Sequence, residues 1–455
     1  MKLNWCAAGL LILAMVVPAL GQDGKKPLSL DDCIRIALDQ NVSILTYRNL
    51  AESAGNNVRG SYSNILPTVS TSWRGQRTTE GPSVFFRSIP VYDSLGQVID
   101  VRQQEVANPK QTFKFYSFNF DISQPIYDGG NWWNQIRKSK ADRQASDYDL
   151  NVQINTTIKE VAQYYVDLVK QEKLLEVNRL AEQRSQDNLD KTQKMFEIGS
   201  VAKVDVFRAR VNLGNDRISV LNQGNIVQQA RQRLNIVMGR DPNATISIEK
   251  DFEYSYDLPE LDALVESAFA NHPELKRRSM EVRSQEMSVK IAKSAFLPTV
   301  AGFFNYNRGT STFSDQYDPL DQNWNTTIGA TVRLNLFNGF SDQVNYQNAK
   351  IARRNTELAI EDYRRQLKST ITALYDSYRN QLEVIEINRE NLEASREEYR
   401  LANERYRLGA GTSLDIREAQ VNLTEAERLV VAAEYDLILT FAELQDAIGR
   451  IQEAF

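Results

Sequence analysis

Histidine and cysteine are nearly absent from this chain, which has 1 His and 2 Cys among 455 residues. Structural zinc sites need about four Cys or His ligands, and thiol or histidine-based nucleophilic sites need the same side chains close together. The sequence also has no phosphate-binding glycine loop beside a nucleophile. We therefore expect no catalytic residues, no metal site and no cofactor, and we predict that the protein is not an enzyme.

An excess of charge of one sign is missing as well. Lys and Arg number 54 and Asp and Glu number 59, which gives a formal net charge of −5 at pH 7. A basic surface for nucleic acid or a long acidic tail would shift this balance strongly. We expect no nucleic-acid partner.

Proline is scarce over two long stretches of the chain. None of the 12 prolines lies between Pro125 and Pro242, and none follows Pro319. An interior proline removes a helical hydrogen bond and costs about 3 kcal/mol. Both stretches can therefore form long uninterrupted helices.

Long apolar runs are missing except at the N-terminus. Lys2 is followed by an apolar run from Ala7 to Leu20 and by small residues around Gly21. This order is typical of a secretory signal peptide, predicted at residues 1–21. A membrane anchor is the alternative, but the run is shorter than the roughly 20 residues that span a bilayer.

The chain contains an internal repeat. Residues 196–206 align without gaps with residues 406–416, and Leu-Pro-Thr-Val occurs at 66–69 and again at 297–300. The repeats are predicted at 22–241 and 261–455. Residues 242–260 join them as a surface linker or as a small equatorial collar.

Each repeat has the same predicted order of elements. An opening helix stops at Leu-Pro-Thr-Val, because the residue before proline is forced out of the helical region. A strand pair, a very long helix, a glycine turn and a return helix follow. The predicted helices are Leu30–Ser63, Gly130–Ile198 and Asp205–Met238 in the first repeat, and Leu261–Ala295, Gly339–Leu408 and Asp415–Ile448 in the second.

The two long helices are predicted to form coiled coils. Apolar residues of the second recur at spacings of three and four, among them Ile360, Tyr363, Leu367 and Ile371. The apolar face favours a packing seam over the lining of a ligand groove, since no polar residues converge along it. His272 is expected to be a solvent-exposed residue that ends a helix.

The strands alternate apolar and polar residues, which predicts one apolar and one polar face. Tyr116, Phe118, Phe120 and Ile122 show this pattern in the first repeat, and residues 324–336 show it in the second. Weaker strands precede them near Val69 and Val300, so four strands are predicted. The first repeat has about 21 extra residues within Thr78–Pro109, a stretch rich in Pro and Gly that is predicted to be an enlarged loop. The loop is predicted to be extracellular, because the opposite ends of the strands lead into the long helices.

Alternating strands in a secreted protein suggest a membrane β-barrel. Four strands cannot close a barrel, and open edges in lipid are costly, so the chain must oligomerise. A dimer would form a narrow, plugged pore, whereas a homotrimer would form twelve strands around an open lumen. The predicted fold class is therefore membrane α+β: a four-stranded contribution to a trimeric barrel that continues into a helical tunnel. A soluble coiled coil capped by these strands is the alternative.

The duplicated helix, Leu-Pro-Thr-Val, strand pair, long helix, glycine turn and return helix resembles the TolC-like outer-membrane efflux protein family over essentially the whole mature chain. Residues 196–206 and 406–416 are its most specific segments. The resemblance implies a homotrimeric channel-tunnel in the outer membrane of a Gram-negative-type bacterium, in contact with outer-membrane lipid. It would serve tripartite efflux or type I secretion, with a periplasmic adaptor and an inner-membrane pump as partners. A trimeric outer-membrane adhesin or a structural coiled-coil protein is the alternative function.

The resemblance also implies roles for residues near the glycine turns. Asp415 and Glu418 match aperture carboxylates, and Asp205 and Tyr406 match residues that link neighbouring hairpins and hold the aperture shut. The adaptor would dock on the turns themselves, at Gly199, Ser200, Gly409 and Ala410. The residues alone suggest a plainer role for the two aspartates, which is N-capping of the return helices.

One tip residue departs from the family pattern. Gly411 stands where the family has an arginine two residues after the second tip glycine. The closed state would then lack one charge-assisted restraint, which Arg405 or Arg407 could replace.

Overall fold

The computed structural model describes residues 27–250, 258–317 and 320–454. The predicted signal peptide lies outside the described residues. The described residues divide into two compact units, one formed by residues 27–44, 154–250, 258–264 and 371–454, the other by residues 45–153, 265–317 and 320–370.

The helices repeat their lengths between the two halves of the chain. Two of them have 67 residues each and two have 35 residues each. At 1.5 Å per residue the longer pair extends for about 100 Å. The predicted long helices and return helices are therefore confirmed. The bounds are α1 Leu30–Gln40, α2 Val42–Ser61, α3 Asn131–Glu197, α4 Lys203–Val237, α5 Leu261–Asn271, α6 Pro273–Ser294, α7 Ser341–Arg407, α8 Ser413–Ala447 and α9 Ile451–Ala454.

The two opening helices are broken, so their prediction as single helices is wrong. Each break follows a helix of 11 residues, at Asn41 and at His272. The side chain of Asn41 accepts a hydrogen bond from the Ser43 amide at 2.9 Å, and His272 Nδ1 accepts one from the Glu274 amide at 3.2 Å. Both residues therefore cap the helix that follows, as side chains that compete for backbone amides do.

His272 is half-buried rather than solvent-exposed, which corrects the prediction for this residue. Its ring meets the ring of Tyr363 edge to face, with the ring centroids 5.9 Å apart. Pro273 fills the first position of α6, where its missing amide costs nothing. The histidine therefore begins a helix as well as ending one.

The second unit contains a four-stranded antiparallel sheet in the order β1-β4-β5-β6. Its strands are β1 Thr68–Glu80, β4 Gln111–Asp128, β5 Thr299–Thr310 and β6 Trp324–Arg333. The four predicted strands are confirmed, although the last one ends at Arg333 rather than at residue 336. The central pairing of β4 with β5 joins the two repeats, with Phe120 opposite Tyr306.

Most of the segment Thr78–Pro109 is a β-hairpin and not a loop. Its strands are β2 Ser83–Tyr92 and β3 Val98–Asn108, which form a separate two-stranded sheet. The Asp93 side chain accepts hydrogen bonds from the amides of Leu95 and Gln97, both at 2.9 Å, and closes the turn. Gly81, Pro82 and Pro109 lie between this hairpin and the strands β1 and β4, Gly96 lies in its turn, and Pro90 lies within β2.

The core of the first unit lies where α1, α3, α4 and α8 pack together. Cys33, Tyr165, Leu234 and Ile438 are among its buried residues. Burial raises the pKa of the Cys33 thiol to about 12, so this cysteine behaves as a small apolar side chain.

Part of the linker between the repeats packs on this core. Leu28 forms a parallel bridge with Ile248, and the Tyr165 hydroxyl donates to the Glu249 carbonyl at 2.7 Å. Residues 251–257 of the linker lie outside the described residues. Within the described ranges, no helix is both long enough and apolar enough to cross a membrane.

Candidate functional site

The two glycine turns have the same backbone geometry. Gly199 and Gly409 have positive φ angles of 78° and 75°. The amides of Ser200 and Ala410 donate to carbonyls five residues earlier, at 2.8 and 2.9 Å. These are the hydrogen bonds of the Schellman motif, which needs a residue that tolerates a left-handed conformation. The predicted glycine turns are therefore confirmed as structure.

Both turns lie at the same end of the helices of the first unit. Three contacts join α3 or α4 to α7 or α8 in this region. They are Lys191 Nζ donating to the Asn403 side chain at 3.1 Å, the hydroxyls of Thr192 and Tyr406 at 3.4 Å, and the Ser413 hydroxyl donating to Asp205 at 3.0 Å. The predicted site residues are thus gathered into one region.

Tyr406 is buried between the two long helices, with 3% of its surface exposed. Its hydroxyl contacts that of Thr192, which is fully buried, and Lys191 Nζ lies 5.0 Å from the centre of its ring. Partial burial, together with the charge of Arg407, lowers the pKa of Lys191. Tyr406 therefore links α7 to α3 within one chain.

Asp415 is not the N-cap of α8, which corrects the capping prediction. Thr412 is the cap, and its hydroxyl accepts from the Asp415 amide at 3.2 Å. The Asp415 carboxylate in turn accepts from the Thr412 amide at 2.9 Å, which completes a capping box. This hydrogen bond lowers the pKa of Asp415.

Asp205 does not cap α4 either. Ala202 occupies the N-cap position and has no side-chain hydrogen bond to offer. Asp205 instead accepts from Ser413 and lies 3.6 Å from the guanidinium of Arg208. The equivalent aspartates of the two repeats therefore have different partners, because position 202 is Ala where the second repeat has Thr412.

Glu418 and Asp415 both have exposed side chains in the single chain and lie one helical turn apart on the same face of α8. Gly411 packs against the end of α7, where a Cβ atom would lie 3.1 Å from the Tyr406 nitrogen. The nearby guanidinium of Arg405 reaches the Ala410 carbonyl only at 3.5 Å. This contact is weak, because 3.5 Å is long for a hydrogen bond.

An apolar groove between the first turns of α4 and α8 was not predicted. Its volume is about 490 Å³, and it is flanked by Asp205 and Arg208. The exposed fractions of its large apolar side chains are 51% for Val204, 51% for Phe207, 61% for Val211 and 70% for Leu414. Their spacing of three and four along α4 was visible in the sequence, but nothing there indicated that α8 lies beside them.

Residues 33–240 and 264–450 match the model of the outer membrane efflux protein family. The chain belongs to this family. The outer membrane protein TolC of Vibrio cholerae serotype O1 is 20% identical over 339 residues, which cover 74% of this chain and 77% of TolC.

Solved outer-membrane channels share the fold of this efflux protein. The Campylobacter jejuni CmeC channel superposes with a TM-score of 0.75 at 17% identity, over 99% of this chain and 94% of CmeC. The Neisseria gonorrhoeae MtrE channel superposes with a TM-score of 0.74 at 17% identity, over 93% of this chain and 89% of MtrE.

These similarities confirm the predicted family, fold class and location. This protein is therefore an outer-membrane efflux channel. The comparisons give no support to the adhesin or structural coiled-coil alternative.

Proposed function

We propose that three copies of this chain form one channel that conducts solutes passively from a periplasmic adaptor and an inner-membrane pump to the exterior, in tripartite efflux or type I secretion. The four-stranded sheet carries this proposal. In the described part of the chain, its outer strands β1 and β6 each have one edge without a partner strand. Such edges are costly in lipid, and three chains would pair all of them in a barrel of twelve strands.

The two faces of this sheet suit lipid on one side and water on the other. On one face Asn119 contacts Ser72 and Asn307, and Asn305 donates to Asp121. On the other face an aromatic row crosses all four strands, with neighbouring ring centroids 6.0, 6.2 and 6.4 Å apart. Its members are Trp73, Phe118, Tyr306 and Trp324. Aromatic residues facing out and polar residues facing in are the pattern of outer-membrane barrels.

The adaptor is proposed to dock on the turns at Gly199, Ser200, Gly409 and Ala410. Small residues at these positions let another backbone approach closely. The apolar groove between α4 and α8 lies beside Asp205 and offers a second contact surface for apolar side chains. A helical partner would bury this surface without disturbing the turns.

The aperture is proposed at the same end of the molecule. Three-fold symmetry would repeat Asp415 and Glu418 around one axis, and a ring of carboxylates favours cations. Asp205 and Tyr406 are proposed to hold this end in its resting arrangement, since each ties one helix of the first repeat to one of the second.

The remaining organisation follows from the repeats. We assign residues 1–21 to a cleaved signal peptide, 22–241 and 261–455 to the two repeats, and 242–260 to a linker or equatorial segment. The bridge between Leu28 and Ile248 supports the last assignment, because it fixes the start of the first repeat to this segment.

Fractionation and cross-linking of the full-length protein in its host test the proposal. We expect a trimer in outer membranes that only detergent releases, and loss of export of the pump's substrates when the gene is deleted. A cross-linked dimer, or a protein released without detergent, would contradict the assembly.

A further inference from the structure

Four polar side chains form a network where α3, α4 and α8 meet. Arg417 makes two parallel hydrogen bonds to the Asp216 carboxylate, at 2.8 and 3.2 Å. The Ser185 hydroxyl donates to the same carboxylate. Gln420 Nε2 donates to the Ser185 oxygen at 2.7 Å and to the Ala181 carbonyl at 3.0 Å. The network thus joins both helices of the first hairpin to the return helix of the second.

This network is largely shielded from water. Ser185 and Gln420 are each 2% exposed, and the side chains of Asp216 and Arg417 are 14% and 23% exposed. A paired charge in such surroundings is stable only while its partner stays in place. Moving α8 away from α4 would leave a carboxylate and a guanidinium without partners.

The repeat does not reproduce this network. Phe207 and Ala426 stand at the positions equivalent to Arg417 and Asp216. The network is therefore specific to one repeat, and it lies beside the proposed aperture, because Arg417 falls between Asp415 and Glu418 on α8. The same tip has Gly411 where a charge-assisted restraint was expected.

We propose that Arg417, held by Asp216, Ser185 and Gln420, is a positioning residue for the aperture. It fixes the first turns of α8, and with them the carboxylates of Asp415 and Glu418, against α3 and α4. It opposes movement of α8 away from α4, and the arrangement that it holds is the low-conductance one. This inference rests on the proposed function.

Planar-bilayer recording of the purified channel in KCl tests it with the variants Arg417→Ala, Asp216→Ala and their combination. Each single variant should raise the open fraction about tenfold. The double variant should raise the open fraction no more than either single variant does, because all three variants remove the same contact. Exchange of the two charges, in Asp216→Arg with Arg417→Asp, should restore most of the low conductance.

The pair of Arg184 and Glu427 is the matched control. It also joins α3 to α8, and its side chains are 17% and 14% exposed, but Glu427 lies almost three helical turns further along α8 than Arg417. Arg184→Ala and Glu427→Ala should lower the melting temperature of the assembly as much as Arg417→Ala does. They should leave the open fraction unchanged. If Arg417 had a purely structural role, variants that destabilise the assembly equally would change the open fraction equally.

Several outcomes would overturn the inference. An unchanged open fraction in Arg417→Ala and Asp216→Ala would do so, and so would an equal rise in the control variants. If Arg417→Ala fails to assemble, Arg417→Lys replaces it in the test, because lysine keeps the charge but can make only one of the two hydrogen bonds. Arg417→Lys should give an intermediate open fraction. An open fraction equal to that of the wild type would contradict the proposal. A wild-type protein that forms no channel would instead contradict the proposed function.

Discussion

The carboxylate of Asp205 accepts a hydrogen bond from the hydroxyl of Ser413 at 3.0 Å. Asp205 lies in the first turn of α4 and Ser413 is the first residue of α8, so the two return helices are tied together where they begin. Neighbouring Asp415 has its own partner in Thr412. The two repeats have thus kept the aspartate while changing what it binds.

The first prediction concerns the tip of the β2–β3 hairpin. Leu95 in its turn is 85% exposed, and the hairpin is expected on the cell exterior. A protease site inserted after Leu95 should be cut when protease is added to intact cells. The same site inserted after Ala410 should be cut only after the outer membrane is opened. The reverse pattern would invert the proposed topology.

The second prediction concerns docking at the turns. Bulky residues at Gly199 and Gly409 should abolish export, but their positive φ angles add strain of about 1–2 kcal/mol. Ser200→Trp with Ala410→Trp enlarges the same surface without that strain, and should abolish export while leaving the trimer intact on native gels.

Ser219→Trp is the control for this prediction, since Ser219 is exposed on α4 away from the turns. It should leave export unchanged. Normal export in the Ser200→Trp, Ala410→Trp double variant would mean that partners bind elsewhere.

The third prediction concerns ion selectivity. Asp415→Asn with Glu418→Gln should reduce the preference for cations in planar-bilayer recordings, because it removes up to six carboxylates from the proposed ring. Asn at 415 can still accept from the Thr412 amide, so the capping geometry is kept. Glu397→Gln with Glu398→Gln, on the exposed face of α7, should change little. Equal selectivity in all variants would leave Asp415 as a capping-box residue alone.

The fourth prediction concerns pH. Its hydrogen bond from Thr412 holds the pKa of Asp415 below the unfolded value of about 3.9. The ionised carboxylate therefore stabilises the start of α8 fully above about pH 4, and this stabilisation is lost as the pH falls through the lowered pKa. Hydrogen exchange, corrected for intrinsic rates, should show the first turn of α8 opening in acid.

Asp415→Asn should remove this pH dependence, and Thr412→Ala should cost the cap about 1 kcal/mol at neutral pH. The start of α4, with Ala202 at its cap position, is an internal reference. An acid-induced opening that persists in Asp415→Asn would assign the effect to another group.

The fifth prediction uses two equivalent glycines where strands pass into long helices. Gly129 and Gly339 have positive φ angles of 71° and 68°. Alanine at either should cost about 1–2 kcal/mol of backbone strain. At Gly129 the added Cβ would also lie 2.7 Å from the Ser294 carbonyl oxygen, whereas at Gly339 it meets nothing within 4 Å. Gly129→Ala should therefore lower the melting temperature more than Gly339→Ala, and equal effects would contradict the close approach of Gly129 to Ser294.

Local patterns in the sequence predicted most of the fold. The period of the apolar residues, the distribution of proline and the repeated glycines predicted the long helices, the turns at Gly199 and Gly409 and the four strands. These features depend on residues that are close in sequence. The sequence predicts a loop at residues 83–108, because Pro and Gly are loop signals and the strands of this hairpin do not alternate regularly between apolar and polar residues.

Long-range contacts decided the rest. Asn41 and Asp216 are ordinary polar residues in the sequence, yet Asn41 breaks a helix while it donates to the Val237 carbonyl at 2.8 Å, and Asp216 pairs with Arg417 about two hundred residues away. A side chain shows which backbone positions it can cap or which charge it can pair, but not which distant helix will supply the partner. That choice depends on how helices from two repeats pack, and only the tertiary structure contains it.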